Sequence, residues 1–179
     1  MSDAAKEYGG ALFELALDDG IEGELLAQLR VISALLRENP RYIRLLLNPN
    51  IPKEERLSCL DSLLSGRTHP YVLNFLKIIT ERNHAESLLG SFDAFEERYY
   101  ETHGIVRATV ESAVPLTESQ KERLKARVEG LTGKQAELAC TVNPALIGGV
   151  RLTVNNRLYE GSVKAKLDAI GESLDSVTI

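Results

Sequence analysis

Three histidines and two cysteines are the residues of this 179-residue chain whose side chains most often bind metals or act as nucleophiles. Cys59 and Cys140 lie far apart in the sequence, outside any metal-binding or redox spacing. His69, His84 and His103 each fall near the end of a predicted helix, with no second His or Cys at ligand spacing. The pattern predicts capping or solvated histidines, reduced thiols, and neither a metal site nor a cofactor.

A glycine pair, Gly148-Gly149, lies between two predicted strands. A phosphate-binding loop needs further glycines and a Lys-Ser/Thr pair, which this segment lacks. The pair therefore predicts a turn or bulge that uses the backbone freedom of glycine. The carboxylates fall mostly on polar helix faces, and no arrangement of Ser, His and Asp stands out. The sequence predicts a protein that is not an enzyme and has no catalytic residues.

The distribution of charge argues against nucleic acid as a partner. Residues 1–104 carry 11 Lys/Arg and 17 Asp/Glu, a net charge of −6, and residues 105–179 carry 10 and 9, a net charge of +1. An acidic first half repels phosphate backbones. No apolar run approaches the roughly 20 residues of a membrane helix, and the polar start is unlike a signal peptide. We expect a cytoplasmic protein that does not insert directly into a membrane.

Apolar residues recur every three or four positions through the first hundred residues, which predicts six helices joined by short loops. Proline or glycine separates most of them. The predicted helices run from about Asp3 to Asp18, Ile21 to Leu36, Ile43 to Leu47, Pro52 to Leu64, Pro70 to Ile79 and Leu88 to His103. Short loops between helices of this length are typical of a bundle.

At Gly104 the apolar period changes from 3.6 to 2, and Val106, Ala108 and Val110 line one face of a strand. Thr117 and Gln120 form a capping box that begins a helix. Two further strands are predicted at Leu138–Val142 and Val150–Val154. A tight turn at Asn155-Asn156 and a final helix at Val163–Val177 follow them. The predicted fold is mainly α, with an N-terminal six-helix bundle (residues 1–104) followed by a small α+β C-terminal domain (residues 105–179).

The first and fifth helices carry more apolar surface than one core contact requires. Tyr8, Leu12 and Leu15 share a stripe, and six of the eight positions from Val72 to Ile79 are apolar. Such a helix is either central in the bundle or turns one face to a partner. Gly9-Gly10 costs about 1 kcal/mol per glycine relative to alanine within a helix. The pair indicates either a close approach of another backbone or a frayed or kinked first turn.

Motifs along nearly the whole chain resemble the delta subunit of the bacterial F-type ATP synthase, whose mitochondrial counterpart is the oligomycin-sensitivity-conferring protein. The family opens with Tyr-Ala-x-Ala-Leu-Phe-x-x-Ala, and this chain has Tyr8–Ala16 with glycine in place of the first alanine. Phe75–Ile79 and Phe92–Phe95 are similar to the fifth and sixth helices of that family. Asn143–Gly149 and Glu160–Val163 match its most specific signature, with Asn143 and Glu160 where Asp is common.

The resemblance implies a non-catalytic stator subunit of the peripheral stalk, which resists rotor torque during proton-driven ATP synthesis. It further implies that the helical domain holds the N-terminal helix of an alpha subunit between its first and fifth helices. The C-terminal domain would receive the C-terminal ends of the b subunits, at the cytoplasmic face of the inner membrane. By analogy, the expected contacts to the alpha-subunit helix are Tyr8, Leu12, Leu15, Leu73, Leu76 and Ile79.

Two other functions fit the same sequence. The chain would serve equally as a generic helical adaptor that binds an amphipathic helix of another complex. It would also fit an enzyme or ligand-binding protein with a site between its two domains, for which perturbed carboxylates in a deep polar pocket would be the sign.

Overall fold

Six α-helices form the first part of the computed structural model, which describes residues 2–146, 148–154 and 157–160. The helices are α1 (Asp3–Asp18), α2 (Glu22–Glu38), α3 (Arg41–Leu47), α4 (Lys53–Leu64), α5 (Pro70–Glu81) and α6 (Leu88–Thr102). A short 3-10 helix, Ala85–Ser87, precedes α6. Proline stands at or next to the first residue of α3, α4 and α5, where its missing N–H costs no helical hydrogen bond.

Local capping fixes where two of these helices begin. The Ser2 hydroxyl accepts a hydrogen bond of 3.3 Å from the Ala5 N–H at the start of α1. His69 Nδ1 accepts a bond of the same length from the Tyr71 N–H at the start of α5. His69 is thus a capping residue, one of the two roles expected for the histidines.

The helices α1 to α6 share one hydrophobic core. Its most deeply buried large members are Leu25, Leu29, Val72, Ile79, Leu88 and Phe95. Phe13 and Phe95 meet edge to face, with ring centroids 5.4 Å apart. Outside the core, the exposed Arg37 pairs with Asp93 at 2.8 Å, a contact that contributes at most about 1 kcal/mol. Apolar burial therefore supplies most of the stability of this part of the chain.

The glycine pair of α1 has two different environments. A Cβ on Gly9 would overlap the Ser91 carbonyl oxygen of α6 and lie 2.8 Å from the Ala94 Cβ. A Cβ on Gly10 would have no atom within 4 Å. The backbones of α1 and α6 therefore approach closely at Gly9, the first of the two explanations considered above, whereas no packing constraint requires glycine at position 10.

The rest of the described chain builds a small four-stranded sheet with one helix. The elements are β1 (Ile105–Ser112), α7 (Glu118–Thr132), β2 (Gln135–Val142), β3 (Val150–Val154) and β4 (Arg157–Glu160). The strand order is β2-β1-β3-β4, with β1 and β2 parallel and the other pairs antiparallel. The helix α7 makes the crossover that joins the two parallel strands.

One face of this sheet forms a second core. Val110 of β1 pairs with Leu152 of β3, and both are buried with Val128 of α7. The predicted capping box of α7 is confirmed, because Thr117 Oγ1 accepts from the Gln120 N–H at 3.4 Å and Gln120 Oε1 accepts from the Thr117 N–H at 2.9 Å.

The mainly helical fold with a small α+β part agrees with the sequence prediction. Gly149, between β2 and β3, has a φ of 83°, as expected for a turn that needs glycine. The short strand β4 was not predicted. The expected Asn155-Asn156 turn and the final helix at Val163–Val177 lie outside the described residues.

The chain divides into two compact units, residues 1–99 and 100–179. The two buried clusters share no residue, so each unit has its own core. A fragment ending at Gly104 keeps α6 whole and is expected to stay helical and to melt cooperatively, as circular dichroism would measure. A fragment that is unfolded alone would mean that the C-terminal part completes its core.

Candidate docking surface

The six residues expected to contact a partner helix have three different environments. Leu12, Leu76 and Ile79 are core residues. Tyr8 and Leu73 are half-buried, and Leu15 is exposed. The core residues are covered by side chains of this chain itself, so they support the surface of α1 and α5 from below. Leu15 is 55% exposed and is the member of the set most accessible to another molecule.

Leu73 lies on the side of α5 that faces α4. Lys77, one turn further along α5, forms an ion pair of 2.6 Å with Asp61 of α4. Residues four positions apart on a helix share a face, so Leu73 points toward the same neighbour. The opposite side of α5, which carries Tyr71 and the 47% exposed Ile78, was not among the expected contacts.

Two polar contacts tie α1 to α5. Tyr8 Oη of α1 lies 3.1 Å from Nδ1 of His84, which follows α5. Tyr71 Oη of α5 donates a hydrogen bond of 2.6 Å to Oδ2 of Asp19, which follows α1. Each contact joins the start of one helix to the end of the other, so the two helices are antiparallel. The Asp19 carboxylate raises the pKa of the Tyr71 hydroxyl by accepting its hydrogen bond and by its negative charge.

Residues with the same spacing on α1 and α5 lie along the stretch that these two polar contacts span. Tyr8 and Leu15 are seven residues apart, as are Tyr71 and Ile78, so each pair spans two turns on one helix face. Exposed residues at the third position after each tyrosine, Ala11 and Asn74, complete the pattern. We call this set the α1–α5 surface: Tyr8, Ala11, Leu15, Tyr71, Asn74 and Ile78.

Acidic residues border this surface on α1. Glu7, Glu14 and Asp18 are all exposed. Glu7 lies four residues before Ala11, Glu14 lies three residues after it, and Asp18 lies seven residues after it. They therefore form one stripe beside Ala11, on the side away from the core. Within the described part of the chain, no ion pair joins any of these three carboxylates to a basic residue.

Other kinds of site find little support in the described residues. No three His, Cys, Asp or Glu side chains in them come close enough together to hold a metal ion. Both cysteines are free thiols; Cys59 is half-buried and Cys140 is exposed. No helix in the described ranges has the length and apolar character needed to span a bilayer.

A family model described as "ATP synthase delta (OSCP) subunit" matches residues 4–174. Bacterial proteins called ATP synthase subunit delta are similar over nearly their full length. The protein of Desulfitobacterium hafniense (strain DSM 10664 / DCB-2) is 33% identical over 170 residues, which is 95% of each chain. That of Rhizobium rhizogenes (strain K84 / ATCC BAA-868) is 32% identical over 178 residues, covering 99% of this chain and 95% of the relative.

A solved structure shares the fold. A chain in the cryo-EM structure of the Toxoplasma gondii mitochondrial ATP synthase hexamer superposes with a TM-score of 0.74 at 20% identity. The superposition covers 97% of this chain and 98% of that one. At this level of identity the likeness establishes the fold, and the family rests on the sequence matches.

Proposed function

Since the chain belongs to the family of ATP synthase delta (OSCP) subunits, we propose that it is a stator subunit of the peripheral stalk of an F-type ATP synthase. It links the catalytic head to the membrane-anchored b subunits and holds the head against rotor torque during proton-driven ATP synthesis. The observation that carries the proposal is the match over residues 4–174, which includes both units. In this function the subunit performs no chemistry and sits peripherally at the cytoplasmic face of the inner membrane.

We assign the contact with the head to the six helices of residues 1–104. The N-terminal helix of an alpha subunit binds along the α1–α5 surface, where Leu15 and Ile78 are large exposed apolar residues on opposite sides. Burying one such side chain contributes about 1.5–3 kcal/mol before the costs of ordering the complex. Of the residues expected from sequence, Tyr8 and Leu15 keep a contact role, while Ile78 and Tyr71 take the place of Leu73.

Leu12, Leu76 and Ile79 have a supporting role in this proposal. They pack beneath the surface and fix the positions of α1 and α5. Substituting them would change binding by changing the fold, so they are unsuitable for mapping the contact.

The contact with the stalk falls to residues 105–179, which receive the C-terminal ends of the b subunits. Exposed apolar side chains in this unit, such as Val114, Leu131 and Val142, offer surface for such a contact. Because two units of one chain bind different partners, the second contact forms at a high effective concentration once the first is made.

Aspartate substitutions at the exposed positions test the head contact. Leu15→Asp and Ile78→Asp, each in the full chain, are expected to weaken binding of the alpha-subunit N-terminal peptide about ten- to hundredfold, because each removes a buried apolar anchor. Isothermal titration calorimetry measures the affinity. Leu35→Asp on α2 is a matched control, because Leu35 is 52% exposed, close to the exposure of Leu15.

All three variants are expected to keep the helicity and melting temperature of the unmodified chain. Undiminished peptide binding by both Leu15→Asp and Ile78→Asp would place the contact elsewhere. A pull-down from native membranes separates the stator from a generic adaptor: the stator retrieves alpha and b subunits together. Retrieval of a different complex, without these subunits, would favour the adaptor.

A further inference from the structure

The two edges of the α1–α5 surface differ in charge. On the α1 edge, the three exposed carboxylates of Glu7, Glu14 and Asp18 have no ion-pair partner among the described residues. We call these three residues the α1 rim. The first and last of them are eleven positions apart, about 16 Å along the helix axis.

On the α5 edge, the charges are paired. Lys77 contacts Asp61 at 2.6 Å, and Glu81 lies 3.8 Å from Lys53. Arg82, exposed and one turn after Ile78, adds a positive charge at the end of α5. A ligand bound between the two helices would therefore meet a row of unpaired carboxylates on its α1 flank, and paired charges with one added cation on its α5 flank.

The α1 rim does not stabilise α1 itself. Glu14 and Asp18 are like charges four residues apart, an arrangement that disfavours a helix. Asp18 also lies in the last turn of α1, at the negative end of the helix dipole, and that turn has no basic residue. Local helix stability therefore does not explain these carboxylates, and their exposure leaves them available to pair with a basic partner.

We propose that the helix bound on the α1–α5 surface has a basic flank, that this flank lies along the α1 rim, and that the pairing fixes which way the bound helix is rotated. The inference rests on the proposed function and adds the chemistry of the partner. The occupant is an amphipathic helix with an apolar stripe for Leu15 and Ile78. Lysine or arginine residues stand beside that stripe, spaced by about one or two helical turns to match the rim.

Charge complementarity disfavours other occupants. A symmetric dimer that sets the two copies of α1 opposite each other would bring the rim carboxylates together, and they would repel. Phosphate groups of nucleic acids or of anionic lipids would meet the same negative charge. A basic helix gains both a faster encounter and a fixed orientation from the rim.

The test compares two triple variants of the full chain that lose the same charge. The rim variant is Glu7→Gln, Glu14→Gln and Asp18→Asn. The control variant is Glu38→Gln, Glu97→Gln and Glu101→Gln, at exposed positions of α2 and α6. The probe is the synthetic N-terminal peptide of the alpha subunit from the same organism, with affinity measured by calorimetry and association rate by stopped flow over a series of salt concentrations.

At a low salt concentration of about 50 mM, we expect the rim variant to bind the peptide about five- to tenfold more weakly than the control, mainly through slower association. The difference should shrink as salt rises, because the rim is exposed and screened. A variant with lysine at all three positions of the α1 rim should bind a peptide whose flanking basic residues are replaced by glutamate more tightly than it binds the unmodified peptide.

Each outcome of the test decides the inference. Equal affinity and equal salt dependence of the two variants would overturn the basic flank and leave the proposed function intact, since the peptide still binds. Failure of the unmodified chain to bind the peptide at any salt concentration would count against the proposed head contact and this inference together. Concentration-dependent dimers that Ile78→Asp abolishes would show a second copy as the occupant instead.

Discussion

Leu76→Asp is expected to unfold the helical unit. The Leu76 side chain is 2% exposed within the core shared by α1 to α6. The substitution removes about 1.5–3 kcal/mol of apolar burial and adds the cost of a buried carboxyl without a partner. A total loss of about 4 kcal/mol or more approaches the whole stability of a typical domain. Thermal and urea denaturation followed by circular dichroism measures the loss.

The matched variant is Ile78→Asp, two residues along the same helix. Ile78 is 47% exposed, so an aspartate there stays in water and the free energy of unfolding should change little. The pair therefore separates folding from binding on one helix. A folded Leu76→Asp protein of normal stability would show that α5 is rotated from the orientation described, with Leu76 on the outer face.

Larger residues at Gly9 are expected to destabilise the first unit strongly. The same substitutions at Gly10 are not expected to destabilise it. Gly9→Leu places its side chain against the Ser91 carbonyl and the Ala94 Cβ, so α6 must move away and the core must open. The expected loss exceeds about 3 kcal/mol, the upper end for moderate overpacking. Gly9→Ala should cost about 1–2 kcal/mol, because its gain in helix propensity offsets part of the overlap.

Gly10→Ala is the control for this prediction, since nothing lies within 4 Å of the added methyl group. Its higher helix propensity should raise the stability by up to about 1 kcal/mol. Melting temperatures of the two alanine variants should therefore move in opposite directions. Equal shifts would mean that α1 and α6 do not approach closely at Gly9.

The ends of the helices were predictable because short-range chemistry decides them. Pro52, Pro70 and the Thr117–Gln120 capping box act within one turn, and the structure begins its helices beside them. The close approach at Gly9 was one of two open explanations. It depends on Ser91 in another helix, which spacing within α1 does not reveal.

The exposed face of α5 was harder to predict, because six of eight positions from Val72 to Ile79 are apolar and several rotations of the helix bury a similar amount. The choice among them depends on distant residues: Asp61 binds Lys77 on one side, and Asp19 binds Tyr71 on the other. One signal in the sequence was available. Tyr71 and Ile78 repeat the seven-residue spacing of Tyr8 and Leu15 on the antiparallel neighbour.

Strand pairing shows the same limit. Alternation identified β1, β2 and β3, but it carries no information on which strands are neighbours or on their direction. The helix α7 between β1 and β2 is long enough for the crossover that their parallel pairing needs, but a helix at that place does not require the two strands to pair. The four-residue β4 is too short for alternation to identify.

The two tyrosine contacts that tie α1 to α5 have a mechanical consequence. Consider a partner helix that lies between these two contacts, parallel to the axes of α1 and α5. When it is pulled along its length the interface is loaded in shear, so its apolar contacts resist the force together and must break together. A force across the axes would instead peel the anchors off one at a time. Because Tyr8 makes a contact near one end and Tyr71 near the other, each end of the pair has a hydrogen bond that opposes splaying. If the partner helix binds here as proposed, the surface that holds it is braced at both ends, whichever way a turning rotor pulls the helix along its axis.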